Sequence, residues 1–166
     1  PQQLLKRGYI IFRNLIPSDK LETLRDSFEI LVERQKTIWV QERKPEDPLG
    51  GEWEKVRQPR SRFQSLIDES TANTVAFCLG ENTLGISRQL LGTSSVAVQG
   101  FFFMCNPVRD HGPASWHRDI QPNFQAPLCG LTENVLNYGP AYVQWNIPLY
   151  DDNVLWIVPG SHLRQN

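Results

Sequence analysis

No apolar run in this chain approaches the ~20 residues that a membrane-spanning helix needs, and no secretory leader is visible at its start. The first residue is proline and not methionine, so the natural beginning of the polypeptide is left open. Neither sign of charge is in excess: 17 Lys and Arg stand against 18 Asp and Glu, mixed throughout the 166 residues. That balance gives no electrostatic reason to expect nucleic acid or an anionic membrane as partner. A small anionic ligand is still compatible, because it needs only one or two local cations. Cysteine is scarce. Cys78, Cys105 and Cys129 are widely spaced, form no C-x-x-C pair and are odd in number. They read as ordinary thiols in a reducing compartment, and a cytoplasmic location is expected. No segment repeats and none is of low complexity.

What is present suits a soluble domain with a real core: 40% of residues are hydrophobic and 21% charged. "GYIIFRNLI" (8–16) is a β-branched run and predicts a strand. Pro17 and Ser18 then open a helix, with Ser18 as N-cap and Asp19 in the favourable first turn. Leu21, Leu24, Phe28, Leu31 and Val32 recur at helical spacing, which carries the helix to about Val40. Residues 41–62 are polar, with three prolines and a Gly pair, and predict a long loop or lid. The loop's basic cluster, Lys55, Arg57, Arg60 and Arg62, reads first as a solvated face and second as a substrate contact. Residues 71–91 give two short helical patterns broken at Gly80. After Gly92 the character changes. "SSVAVQGFFFMCNP" (94–107), "PAYVQWNIPLY" (140–150) and "NVLWIVPG" (153–160) are aromatic and β-branched runs punctuated by Gly, Pro and Asn, which are strand signals. Helices first and strands later, without βαβ alternation, predict an α+β, mainly β domain with a helical face packed on a sandwich or barrel. The helical part covers about 1–92 and the β part about 93–166.

The chemistry concentrates in "GPASWHRDIQP" (112–122). Residues two apart in an extended strand project to one face, so His117 and Asp119 can aim an imidazole and a carboxylate at one point. A nitrogen and a carboxylate oxygen from one strand, joined by a later histidine, is how the two-His-one-carboxylate iron site is built, with positions left open for cosubstrate and oxygen. Zinc recruits more His or Cys, and Mg or Ca more oxygens. Taken alone, the pair reads first as a surface hydrogen-bonded contact and second as a metal site.

Two further stretches narrow the choice: "WIVPGSH" (156–162), which presents His162 after a Pro-Gly turn, and the aromatic run ahead of the H-x-D. Together "GFFFMCNP", "WHRD" and "VQWNIPLYDDNVLWIVPGSH" resemble the phytanoyl-CoA dioxygenase family of Fe(II)/2-oxoglutarate oxygenases. "RGYIIFRNLIPSDKLETLRDSFEILV" is similar to that family's first strand and helix. The resemblance implies a double-stranded β-helix (jelly roll) with N-terminal helices packed on one sheet. It makes His117 and Asp119 the catalytic pair and iron ligands, and gives His162 a supporting place near the active site. It also implies that Trp145 lines the 2-oxoglutarate pocket, flanked by Gln99 and Phe103. A carboxylate at 119 further implies hydroxylation or a related oxidation and not halogenation, in which related enzymes have a small residue there. The implied reaction couples oxidative decarboxylation of 2-oxoglutarate, with O2, to oxidation of a C–H bond in a small organic molecule.

The family pattern also calls for a third ligand histidine and a carboxylate-gripping arginine downstream of the P-G-S-H turn. No histidine follows His162 and no arginine stands about one strand beyond such a ligand by Asn166, so the barrel is expected to be incomplete over these residues. His111, six residues before His117, is the weaker candidate for the third position. Two function classes therefore stand: a dioxygenase, and a non-catalytic jelly-roll (cupin-like) module that binds a ligand. Substrate selectivity is expected in loops 41–62 and 121–140. The sequence does not specify an oligomeric state.

Overall fold

A computed structural model describes residues 2–117, 140 and 142–163. In chain order these form α1 (Gln2–Arg7), α2 (Ser18–Gln41), α3 (Glu52–Lys55), β1 (Arg60–Arg62), a 3-10 turn (Glu69–Thr71) and α4 (Ala72–Cys78). A π-helical turn (Glu81–Gly85), α5 (Ile86–Leu91), β2 (Phe102–Met104) and a second 3-10 turn (Ser161–Leu163) follow. The chain divides into two compact units. One, the α2 unit, comprises Ser18–Cys78 and Ala97–Ser115; the other, the α1 unit, comprises Pro1–Pro17, Leu79–Val96 and Trp116–Asn166.

The α2 unit is organised by the helix that the periodicity predicts. Leu24, Ser27, Leu31, Val32, Gln35 and Trp39 are its buried positions, a seam at three- and four-residue spacing. Leu31, Val32 and Trp39 meet Phe63, Leu66 and Phe103 in one core cluster. Each such side chain contributes about 1.5–3 kcal/mol by leaving water. The two polar members of the seam are satisfied: Ser27 donates to Asn73 Oδ1 at 2.6 Å, and Gln35 Oε1 accepts from Ser61 Oγ at 2.7 Å. The segment after β1 is tied to α2 by Arg34, which donates to Leu66 O (2.6 Å) and Asp68 Oδ2 (2.7 Å).

Within the expected loop at 41–62, α3 and β1 are two short ordered elements. Four residues cannot sustain a helix alone. α3 is held by Trp53, whose ring lies 6.1 Å from that of Trp39 and under the Lys36 ammonium at 4.3 Å. Gly51, at φ 59°, lets the backbone turn directly against the Trp39 carbonyl, where a β-carbon would collide.

In the α1 unit, Asn82 donates to Leu15 O at 2.9 Å and fixes the π-helical turn against the segment that follows α1. The strand expected at 8–16 is absent. Gly8 and Asn14 adopt positive φ (83° and 56°), which breaks an extended path, and the six residues before it form α1. The break at Gly80 occurs as expected, between α4 and the π-helical turn.

The β-rich second half is corrected more strongly. Of the three runs expected as strands, only Phe102–Met104 enters a ladder, pairing antiparallel with β1. Among the described residues the sheet has two strands and no barrel closes. Among the described residues the secondary structure is thus mixed helix with little strand. Propensity marks a segment that fits a sheet; a neighbouring strand is what makes it one.

Candidate functional site

β1 and β2 form a ribbon whose two faces differ. Directly opposed residues share a face, and the register sets Arg60 against Met104, Ser61 against Phe103 and Arg62 against Phe102. Ser61 and Phe103 turn toward α2: Ser61 reaches Gln35, and the Phe28 ring meets that of Phe103 edge-on at 5.9 Å. Arg60, Arg62, Phe102 and Met104 occupy the other, exposed face. There the Arg62 guanidinium lies 5.2 Å from the Phe102 ring centre, a cation–π pair, and Gln58 Nε2 donates to Met104 Sδ. This face combines two cations with an aromatic and a thioether.

Phe103, expected to flank a cosubstrate, therefore faces α2 at 5% exposure and stacks with Phe63. Its neighbour Phe102, 49% exposed, is the one on the open face. Sequence reasoning missed Phe102 because "GFFFMC" is apolar at every position and carries no period to separate its faces. The alternation of "RSR" opposite it was the available signal. Gln99 is exposed and precedes β2 outside any ladder. Burial pushes the thiol of Cys105, at the end of this run, up to about 12, with Lys36 opposing and Glu29 adding.

Trp145 belongs to the α1 unit. Its indole N–H donates to Ser87 Oγ on α5 at 2.9 Å, and Ser87 in turn donates to Thr83 O at 2.9 Å. The Trp145 ring sits 5.6 Å from Phe12. The side chain is thus half-buried and oriented by a buried hydrogen-bond chain.

His117 is exposed, beside Trp116 at 70% exposure, and both belong to the α1 unit. Asp119, Cys129 and the loop at 121–139 lie outside the described residues. His111 belongs to the α2 unit, where its carbonyl accepts from Arg57 Nη2 at 3.2 Å. Among the described residues no group of three or more His, Cys, Asp or Glu is placed to hold a metal ion. His162 is turned toward α1, with Nε2 2.6 Å from Leu5 O. The basic cluster of the 41–62 segment is partly spent on local contacts: Lys55 pairs with Asp47 at 2.6 Å, and Arg57 holds the His111 carbonyl.

The sequence model of the phytanoyl-CoA dioxygenase (PhyH) family matches residues 4–166. The chain belongs to this family. PhyH membership covers both units, from α1 to the residues beyond the P-G-S-H turn, and includes the H-x-D pair. It supports an oxygenase of the Fe(II)/2-oxoglutarate type acting on a small molecule. No curated protein and no solved structure matches the chain. Among the described residues no helix is long and apolar enough to cross a membrane.

Proposed function

We propose that this PhyH protein is an Fe(II)/2-oxoglutarate-dependent dioxygenase that hydroxylates a small organic molecule on a jelly-roll scaffold. The observation that carries the reading is the family match over residues 4–166, within which W-H-R-D supplies adjacent nitrogen and carboxylate donors. The donor chemistry fits ferrous iron: His117 and Asp119 would hold it, with one further donor completing the set. When bound, the iron supplies O2 activation driven by decarboxylation of the 2-oxo acid.

The chain's own residues bind and orient. Trp145, in the same unit as His117, is proposed to line the cosubstrate. Phe103 then acts by holding β2 on α2, because its ring is taken up by the core. A cytoplasmic setting and a single jelly-roll domain belong to the same proposal.

The test is anaerobic addition of Fe(II) and 2-oxoglutarate to the full chain, followed by absorbance in the visible. A charge-transfer band is expected, and His117→Ala or Asp119→Ala should abolish it. Survival of the band in both variants would sink the ligand assignment. Absence of the band in the parent, together with no succinate formed in a substrate screen, would turn the reading to a non-catalytic ligand-binding module.

A further inference from the structure

The P-G-S-H turn does something that neither the iron chemistry nor the core requires of it. A helix leaves its last four carbonyls without intrahelical donors, and a helix of six residues is not self-sustaining. In α1 three of these carbonyls are met. Gly8 N–H donates to Leu4 O at 2.7 Å, the local closure usual for a glycine after a helix. The other two donors come from the far end of the described chain: Gly160 N–H donates to Arg7 O at 2.9 Å, and His162 Nε2 lies 2.6 Å from Leu5 O. A carbonyl only accepts, so Nε2 carries the proton in this contact. The turn is itself fixed by Ser161 N–H to Val158 O and Leu163 N–H to Gly160 O, both 3.1 Å, with Gly160 at φ 73°.

The imidazole also fits the backbone beneath it. A β-carbon at Gly8 would come within 2.6 Å of His162 Nδ1. Gly8 is therefore held to glycine twice, by φ 83° and by the ring lying on it.

We propose that the P-G-S-H turn is a long-range C-terminal cap for α1, with His162 its side-chain donor and Gly8 its seat. His162 is on this account a positioning residue that acts through α1, and the assignment does not rest on the iron reading. Two residues of the motif reach α1: Gly160 turns its N–H onto Arg7, and the histidine spans to Leu5.

The test is amide exchange and thermal melting of His162→Ala, His162→Gln and Gly8→Ala in the full chain, with the double variant Gly8→Ala/His162→Ala. His162→Ala should raise exchange at Gly8 and Gly160 at least tenfold, leave Leu31 in α2 unchanged, and lower Tm by about 2–4 °C. His162→Gln, which keeps an N–H donor, should recover part of both. Gly8→Ala should cost less in the His162→Ala background than alone, because the ring it strikes is gone. Unchanged exchange at Gly8 and Gly160 in His162→Ala, or strict additivity of the pair, would overturn the cap. If His162→Ala does not fold, His162→Gln and Gly8→Ala decide on the same two amides. Loss of the Fe(II)–2-oxoglutarate band with unchanged exchange would also overturn it and return His162 to the iron site.

Discussion

Phe102 and Phe103 are chemically identical neighbours with opposite tasks. Phe103→Ala should cost about 3–5 kcal/mol, because it opens a cavity between α2 and the ribbon. Phe102→Ala should cost under about 1 kcal/mol, since it removes an exposed ring and one cation–π contact. Urea unfolding of both variants checks this, and equal costs would show that the faces are assigned wrongly. The cysteines give a second check. Burial raises the thiols of Cys78 and Cys105, so neither should react appreciably with iodoacetamide near pH 8 until the protein is unfolded. Residue chemistry was legible where a side chain announces its task alone. The W-H-R-D and P-G-S-H stretches drew attention because of their histidines. Which of two adjacent phenylalanines faces out was not legible, because the deciding contact comes from Phe28, on a helix some 70 residues away.

At the scale of elements, α2 was fully readable from its seam, and its partners were not. The segment at 66–71 is moored to it by Arg34, and the mooring is pH-dependent. The hydrogen bond from Arg34, then that from Ser70, holds the Asp68 carboxyl well below its usual 3.8. A depressed carboxylate stabilises the fold fully above its unfolded pKa, and that contribution is lost as pH falls below it. The urea midpoint of the parent should therefore drop between about pH 5 and about pH 2 by more than that of Asp68→Asn. Parallel curves would remove Asp68 from the account. Trp145 and Ser87 form the corresponding link in the α1 unit. Trp145→Phe should cost about 1 kcal/mol, and Ser87→Ala should cost less in that background than alone. The runs at 140–150 and 153–160 read as strands because their composition is that of strands. No ladder claims them among the described residues, and composition alone names no neighbour.

Taken whole, the molecule distributes its order unevenly. Val154, Leu155, Trp156, Ile157 and Val158 are all exposed, Trp156 at 76%. An apolar run exposed at successive positions has neither face of a strand covered. Its amides should exchange orders of magnitude faster than those of Leu31 and Val32 in α2, as native-state hydrogen exchange would measure. Comparable protection would mean that this run is packed. The family was legible from motifs spread along the whole chain, whereas the division into two units was not, because the units are interleaved in sequence.

That interleaving sets an order of events during synthesis. By Ser115 the ribosome has supplied every residue of the α2 unit. The α1 unit has by then its first helix, but the donors that cap it lie more than 40 residues further on. Closing so long a loop adds only logarithmically to the entropic cost, so the delay is one of translation time and not of free energy. Until Gly160 and His162 emerge, α1 has only its Gly8 closure, and the Leu5 and Arg7 carbonyls still lack these donors.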